Sequence, residues 1–183
     1  KEPSIKKTLE KLKRKKIDQI IIIPLFPQFA SATNGSVIEE VMKYIKSWWV
    51  IPEISFISQF YDEKLFLDAF AEKGKNYKLK DYDEIIFSFH GLPERHVDKV
   101  YENSLCKDNN CENGITESNK FCYKATCYET AKQIAKRLKI KNSDYIVAFQ
   151  SRLDNKWLRP FSDDIIKKQG KKGGKKILCF SPS

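Results

Sequence analysis

Two groups of residues stand out by type and spacing. The first centres on a histidine. His90 ends the run Ile85-Ile-Phe-Ser-Phe-His90 and is followed at once by Gly91-Leu-Pro93, in a sequence with only two histidines. An imidazole at the carboxyl end of a buried strand sits on a rigid element and projects into a cleft. There it can bind a soft or borderline divalent metal, or accept a proton near neutral pH. A core histidine bonded to a neighbouring backbone group is the alternative reading. The Gly-Leu-Pro turn can reverse the chain beside the ring. His96 falls in the polar segment that follows and reads as surface.

The second group is Cys106-x4-Cys111-x10-Cys122-x4-Cys127. Four thiolates in one loop can hold a [2Fe–2S] cluster or a tetrahedral zinc ion. Cys122 and Cys127 can equally pack the start of a helix without any metal. Zinc fingers more often use two-residue gaps, and residues 100–130 carry three Lys against five acids, which argues against a finger that reads DNA. Cys179 lies within an apolar run and reads as buried core.

Elements that alternate along the chain must position these groups. Residues 4–15 have Ile5, Leu9 and Leu12 on one helical face. Ile17 to Leu25 is a short apolar, β-branched run, as a strand buried on both faces should be. Ser36-Val-Ile-Glu39 reads as a capping box, opening a helix with Val37, Val41, Tyr44, Ile45 and Trp48. Ile54 to Phe60 is a second strand. Asp62 can cap a helix whose inner face carries Leu65, Phe66, Ala69 and Phe70. Ile85 to Phe89 is a third strand, and a polar loop over 91–122 follows it. Residues 124–139 form a helix with Ala131, Ile134, Ala135 and Leu138 inward. Asp144 to Phe149, a helix over 161–169 and Ile177 to Phe180 complete the series. Helices alternating with buried strands predict an α/β fold, a mostly parallel sheet with helices on both faces. The most polar break, residues 74–83, predicts a domain boundary, giving units 1–80 and 81–183. The chain opens on a helix with no strand before it and ends just after a strand, which reads as the middle of a longer protein.

Composition limits the function classes. The chain has 183 residues, 41% hydrophobic and 13% aromatic, and a mean hydropathy of −0.53. No apolar run is long enough to span a bilayer, and nothing reads as a signal peptide. The expected location is cytoplasmic. The net charge is +10, but residues 1–16 and 167–176 each carry +6 and the remainder −2. Charge confined to one helix and one loop predicts no nucleic-acid partner. The basic helix Lys6–Lys16 can face water or touch the anionic surface of a membrane as a peripheral contact.

In open parallel sheets, ligands bind beyond the carboxyl ends of the strands. The segments leaving the strands are 24–36, 59–62, 88–93, 150–160 and 181–183. They hold a histidine, arginine, aromatics, hydroxyls and amides, few carboxylates and no glycine-rich phosphate loop. Such a lining suits a large, flat, mostly apolar ligand with a polar reaction centre.

At these same segments the sequence resembles the ferrochelatase family. The family signature is matched by Ile85, Ile86, Ser88, His90, Gly91, Leu92 and Pro93. PLFPQFASATNGS (24–36) is similar to the family's Pro-Leu-Tyr-Pro-Gln-Tyr loop. ISFISQFYD (54–62) is similar to its strand ending in Phe/Trp-Tyr-Asp. Phe149-Gln-Ser-Arg152 with Trp157-Leu-Arg-Pro160 resembles its Gln-Ser-Arg and Trp-Leu-x-Pro elements. The four motifs stand in family order over the whole chain.

The resemblance implies two similar doubly wound α/β domains with parallel four-stranded sheets, both incomplete in this chain. It implies insertion of Fe(II) into protoporphyrin IX to make haem, with release of two protons. It makes His90 the catalytic and Fe2+-binding residue, opposite a glutamate that belongs just past the last strand, beyond Ser183. It puts Phe26, Thr33 and Ser36 on one side of the porphyrin, and Ser88, Arg152 and Trp157 on the other. Core aromatics and a helix-end ion pair are the alternative for Phe26, Trp157 and Arg152. The chain departs from the family where the usual Gly-Asp-x-Tyr is replaced by the cysteine loop. Some bacterial members carry a [2Fe–2S] cluster in such a loop, which favours a cluster on Cys106, Cys111, Cys122 and Cys127 over zinc. On this reading the fragment alone is inactive. The competing readings are a chelatase for another tetrapyrrole, a non-catalytic porphyrin binder, and a basic metal- or nucleic-acid-binding module.

Overall fold

A computed structural model describes residues 2–183. The chain divides after Phe60 into two compact units.

In the first unit, Ser4 starts α1 (Ile5–Arg14), its hydroxyl accepting from the Lys7 N–H at 3.2 Å. The apolar face of α1 packs on α2 (Ser36–Ile45), and both cover a parallel pair, β1 (Gln19–Ile22) and β2 (Glu53–Phe56), in register Ile20 to Ile54. Leu9, Ile20, Val41 and Ile45 form the core, with Leu12, Tyr44, Trp48 and Ile54 packed around them. β1 is shorter than the apolar run that predicts it. It is covered on one face only: Ile20 is buried, while Ile21 is 56% exposed. A two-stranded sheet with helices on one side cannot bury alternate residues on the other. The capping box at Ser36 does not form. A π-helical turn, Ser31–Gly35, runs directly into α2, so Ser36 sits inside a continuous helix. Its hydroxyl donates back to the Ala32 carbonyl at 3.2 Å.

In the second unit, α3 (Lys64–Lys75) leads to β3 (Glu84–His90). After β3 come the short α4 (Glu94–Val97), the cysteine-bearing segment and α5 (Tyr123–Leu138). β4 (Ile146–Gln150), α6 (Ser162–Lys171) and β5 (Ile177–Phe180) follow. The sheet is parallel throughout, in the order β4-β3-β5. β3 is central, and its five residues Ile85–Phe89 are all buried. This is why it reads as an unbroken apolar run, because a strand flanked on both faces has no solvent side. The Phe87 and Phe180 rings stack at 5.1 Å between centroids, and Tyr145 meets Phe87 edge-on at 5.2 Å. Burying each such ring contributes about 1.5–3 kcal/mol.

Three expectations are corrected here. The division falls after Phe60 rather than at residue 80. α3 packs on α5 of the second unit, and the Arg137 guanidinium of α5 donates to Asp68 of α3 at 2.8 Å. Lys64 and Arg137 together hold the Asp68 carboxyl below its usual range. The inner face of α3 is Leu67, Ala71 and Gly74, whereas Leu65 and Ala69 are exposed. At Gly74 a Cβ would come within 2.8 Å of a Leu138 methyl, so a side chain there would push Leu138 aside. Cys179 is exposed: β5 lies at the sheet edge, and alternation turns Leu178 and Phe180 inward and Cys179 outward. Among the described residues no helix is long and apolar enough to cross a membrane.

Candidate active site and thiol cluster

The second unit builds its site at the carboxyl ends of β3 and β4, where His90 lies in register with Gln150. Residues Ile85–Phe89 are buried and His90 emerges exposed. Its backbone is held at both polar atoms. The Tyr123 phenol donates to the His90 carbonyl at 2.8 Å, and the His90 N–H points to the Ser183 hydroxyl at 3.4 Å. Tyr123 is itself buried, which pushes its phenol pKa upward and keeps it a donor.

The turn after His90 is laced to the segment after β4. The Gly91 N–H donates to the Gln150 carbonyl at 2.7 Å, Leu158 to Leu92 at 2.9 Å, and Glu94 to Lys156 at 2.9 Å. Pro93 and Trp157 form an isolated bridge. A Cβ on residue 91 would stand 2.8 Å from the Gln150 carbonyl oxygen and 3.2 Å from the Trp157 ring, so only glycine lets the two backbones approach. Ser151, next to Gln150, has φ 64, the left-handed region, and such conformations collect at functional sites. Two separate sequence motifs, His90-Gly-Leu-Pro93 and Trp157-Leu-Arg-Pro160, thus become one structural element.

The other predicted residues of this unit are placed as follows. The Arg152 guanidinium lies 3.8 Å from the centre of the buried Phe161 ring and donates to Asp163 at 2.9 Å and Asp164 at 3.3 Å. Those are the helix-end ion pairs of the alternative reading, at the start of α6. Ser88, expected beside the ligand, is buried, its hydroxyl 2.8 Å from that of Ser162. Two residues before His90 on the same face of β3, it meets α6 before it can reach the strand's end.

In the first unit, the segment after β1 presents Leu25, 81% exposed, and Phe26, 41% exposed. Asn34 holds this loop. It is fully buried and makes four hydrogen bonds. Its Oδ1 accepts from the Ala30 N–H at 3.2 Å and the Thr33 hydroxyl at 2.9 Å. Its Nδ2 donates to the Phe26 carbonyl at 3.1 Å and the Ser58 carbonyl at 2.8 Å. The Thr33 and Ser36 hydroxyls are both spent within the loop's own helical turn. Asn34 is absent from the sequence-predicted residues, as is Tyr123. An Asn-Gly pair in a polar loop suggests only a turn, and a tyrosine after a cysteine gives no signal of a bond to a strand end.

Three of the four loop cysteines converge. The sulfurs of Cys106, Cys111 and Cys122 form a triangle with edges of 3.5–3.6 Å, and all three residues are buried. Hydrogen bonds from the Cys106 and Cys111 thiols hold Cys122 far below the ordinary thiol range, while Cys106 is pushed up as the proton holder. The Tyr101 phenol lies 3.0 Å from the Cys111 sulfur. The Cys106 N–H donates to Asp98 at 2.8 Å, anchoring the loop. Cys127 does not join the triangle. It is fully buried within α5, and burial raises its thiol pKa. Three thiolates bound at about 2.3 Å to one tetrahedral ion would be about 3.8 Å apart, close to the observed spacing.

These features define a parallel α/β protein with an exposed histidine and apolar, aromatic segments at its strands' carboxyl ends, and with a separate thiol centre. The chain belongs to the ferrochelatase family, whose model matches residues 1–183. It is 36% identical to a Pseudomonas fluorescens ferrochelatase over 100% of the chain and 54% of that protein. It is 39% identical to a Legionella pneumophila ferrochelatase over 99% and 54%. A Coxiella burnetii ferrochelatase is 38% identical over 99% and 51%. The chain therefore spans about half the length of the curated relatives it matches.

Proposed function

We propose that the full-length protein inserts Fe(II), as substrate, into protoporphyrin IX to make haem in the cytoplasm. The single observation that carries this is the exposed His90 on a strand end pinned from both sides, within a chain of this family. Insertion must remove two pyrrole N–H protons as the metal enters a shielded ring. A neutral imidazole can accept one of them or hand over the metal. The Gly91 N–H bond to the Gln150 carbonyl and the Pro93–Trp157 bridge keep the imidazole's base from moving, so the macrocycle's approach decides the geometry. In the first unit, Phe26, 41% exposed, is an apolar residue of the kind that binds a flat macrocycle. Arg152, oriented by Asp163 and Asp164 at the start of α6, and Trp157 are the further substrate-binding residues of this unit. Thr33, Ser36 and Ser88 shape the walls.

Under anaerobic conditions, full-length protein mixed with protoporphyrin and Fe(II) should convert the porphyrin absorbance bands to those of haem. Porphyrin binding with no metallation over the same period would leave a carrier as the better reading.

The thiol triangle fits a metal held by thiolates, and Cys106, Cys111 and Cys122 are the residues that would hold an iron–sulfur group. A [2Fe–2S] cluster takes four protein ligands, and Cys127 does not fit as the fourth in this arrangement. No catalytic step depends on the group. Cys122→Ser is expected to lose most bound iron and the visible chromophore of protein purified anaerobically. Cys127→Ala should keep most of both while melting at a lower temperature, since it removes a packed side chain. Elemental analysis with a visible spectrum distinguishes the two. Iron lost from Cys127→Ala as completely as from Cys122→Ser would restore a four-cysteine site.

A further inference from the structure

The segment that leads into α5 has almost no apolar core of its own. Of residues 101–122, only Cys106, Cys111, Asn119 and Cys122 are buried. Two of its large apolar side chains, Leu105 and Phe121, are 42% and 46% exposed. A segment packed on thiols and one amide needs a bonded centre to stay ordered, and the three cysteines are free rather than paired. That leaves a metal. The shape of the triangle separates one metal from two. Each iron of a [2Fe–2S] cluster takes two of four thiolates, with the sulfides between the irons, so thiolates on different irons are held apart. Such a site would show two close pairs. Here three sulfurs stand at near-equal distances of 3.5–3.6 Å, as around one ion. A fourth donor is at hand. The Tyr101 phenol oxygen lies 3.0 Å from the Cys111 sulfur and also within hydrogen-bonding reach of Cys122.

We propose that Cys106, Cys111, Cys122 and Tyr101 hold a single divalent ion of the Fe(II) or Zn(II) class in tetrahedral geometry, with no bridging sulfide and with Cys127 outside the ligand set. Thiolates select soft and borderline ions over Mg(II) or Ca(II). Three thiolates and a phenolate leave a net charge of about −2 on the filled site. The start of α5 offsets it. Cys122 stands at the N-cap, where the helix dipole is positive, and Lys124 lines the same cavity as Cys106. The protons displaced from the thiols and the phenol go to solvent. This inference rests on the reading of the triangle as a thiolate metal site, and not on the chelatase reading.

The test uses the full-length protein purified anaerobically, with metal and acid-labile sulfide measured together. The wild type should hold about one metal atom per chain more than Cys122→Ser, and no inorganic sulfide. Cobalt(II) added to the metal-free protein then counts the ligands. Its sulfur-to-cobalt charge-transfer absorbance should saturate at about one equivalent. It should fall by about one third in Cys106→Ser or Cys111→Ser, one thiolate of three, and stay whole in Cys127→Ala. Tyr101→Phe should keep that absorbance, shift the ligand-field bands and weaken cobalt binding by about tenfold or more. Cobalt(II) should also protect the wild type from tryptic cleavage at Lys107 and Lys120, a readout that needs no variant should the variants melt early. Two irons with two sulfides per chain overturn the single ion and leave a thiolate metal site. Ligand-field bands and affinity unchanged in Tyr101→Phe overturn the fourth ligand. No metal difference and no charge-transfer band overturn the metal site altogether, with the chelatase reading untouched.

Discussion

Replacing His90 by alanine in the full-length protein is expected to slow metallation of protoporphyrin by about 10²–10⁴-fold, the range that a positioned acid–base group supplies. The fold should be untouched. His90 is exposed, and the two hydrogen bonds at this position use its backbone N–H and carbonyl, which alanine keeps. Porphyrin should still bind, because alanine removes only the imidazole and the macrocycle's binding is mostly apolar. The measurement is the rate of haem formation at saturating Fe(II) and porphyrin, beside a porphyrin binding titration and a melting curve. An unchanged rate would remove His90 from the mechanism and leave the enzyme reading standing. Lost binding together with a lowered melting temperature would show a structural role for the side chain.

Asn34→Ala should cost about 3 kcal/mol of stability. Four hydrogen bonds disappear, and the Phe26 and Ser58 carbonyls and the Ala30 N–H are left without this partner in a buried place. Each orphaned buried group costs about 1–3 kcal/mol, less what water recovers by entering. The loop that presents Phe26 should then open to limited proteolysis between β1 and α2, and KM for porphyrin should rise more than kcat falls. Asn34→Asp is the informative companion. It keeps the acceptor for Ala30 and Thr33 but loses both donors, so most of the loss should remain. Denaturant unfolding measures the cost directly. A change below about 0.5 kcal/mol, within the range of ordinary surface substitutions, would falsify the assignment of Asn34 as the loop's anchor.

Much of this protein is legible in its residues taken in order. The parallel α/β class follows from apolar runs too short for helices, alternating with helical periodicity. The central strand is the clearest case, because Ile85–Phe89 is buried on both faces and so has no polar residue to interrupt it except Ser88, which Ser162 satisfies. His90 at the end of that strand was equally readable, since a strand end is a local feature that places its next side chain outside the core. Edges and faces were not readable. Cys179 and Ile21 look as apolar as any core residue, yet one lies on an edge strand and the other on the uncovered face of a two-stranded sheet. Burial there depends on what packs alongside, which sequence spacing does not record. The inner face of α3 was missed for the same reason: Leu65 and Leu67 are equally hydrophobic, and only the position of α5 selects Leu67.

The sites divide in the same way. The spacing of four cysteines announced a thiol centre, but three-dimensional convergence admits Cys106, Cys111 and Cys122 and leaves Cys127 inside α5. Local sequence determined which residue types were present and the strand that carries His90. Tertiary structure alone decided that Tyr123, Gly91 and Trp157 hold that strand's end, that Arg152 is committed to Asp163 and Asp164, and that Asn34 locks the Phe26 loop. Those are contacts between segments far apart in the chain, made by hydrogen bonds and close approach whose partners no local pattern names.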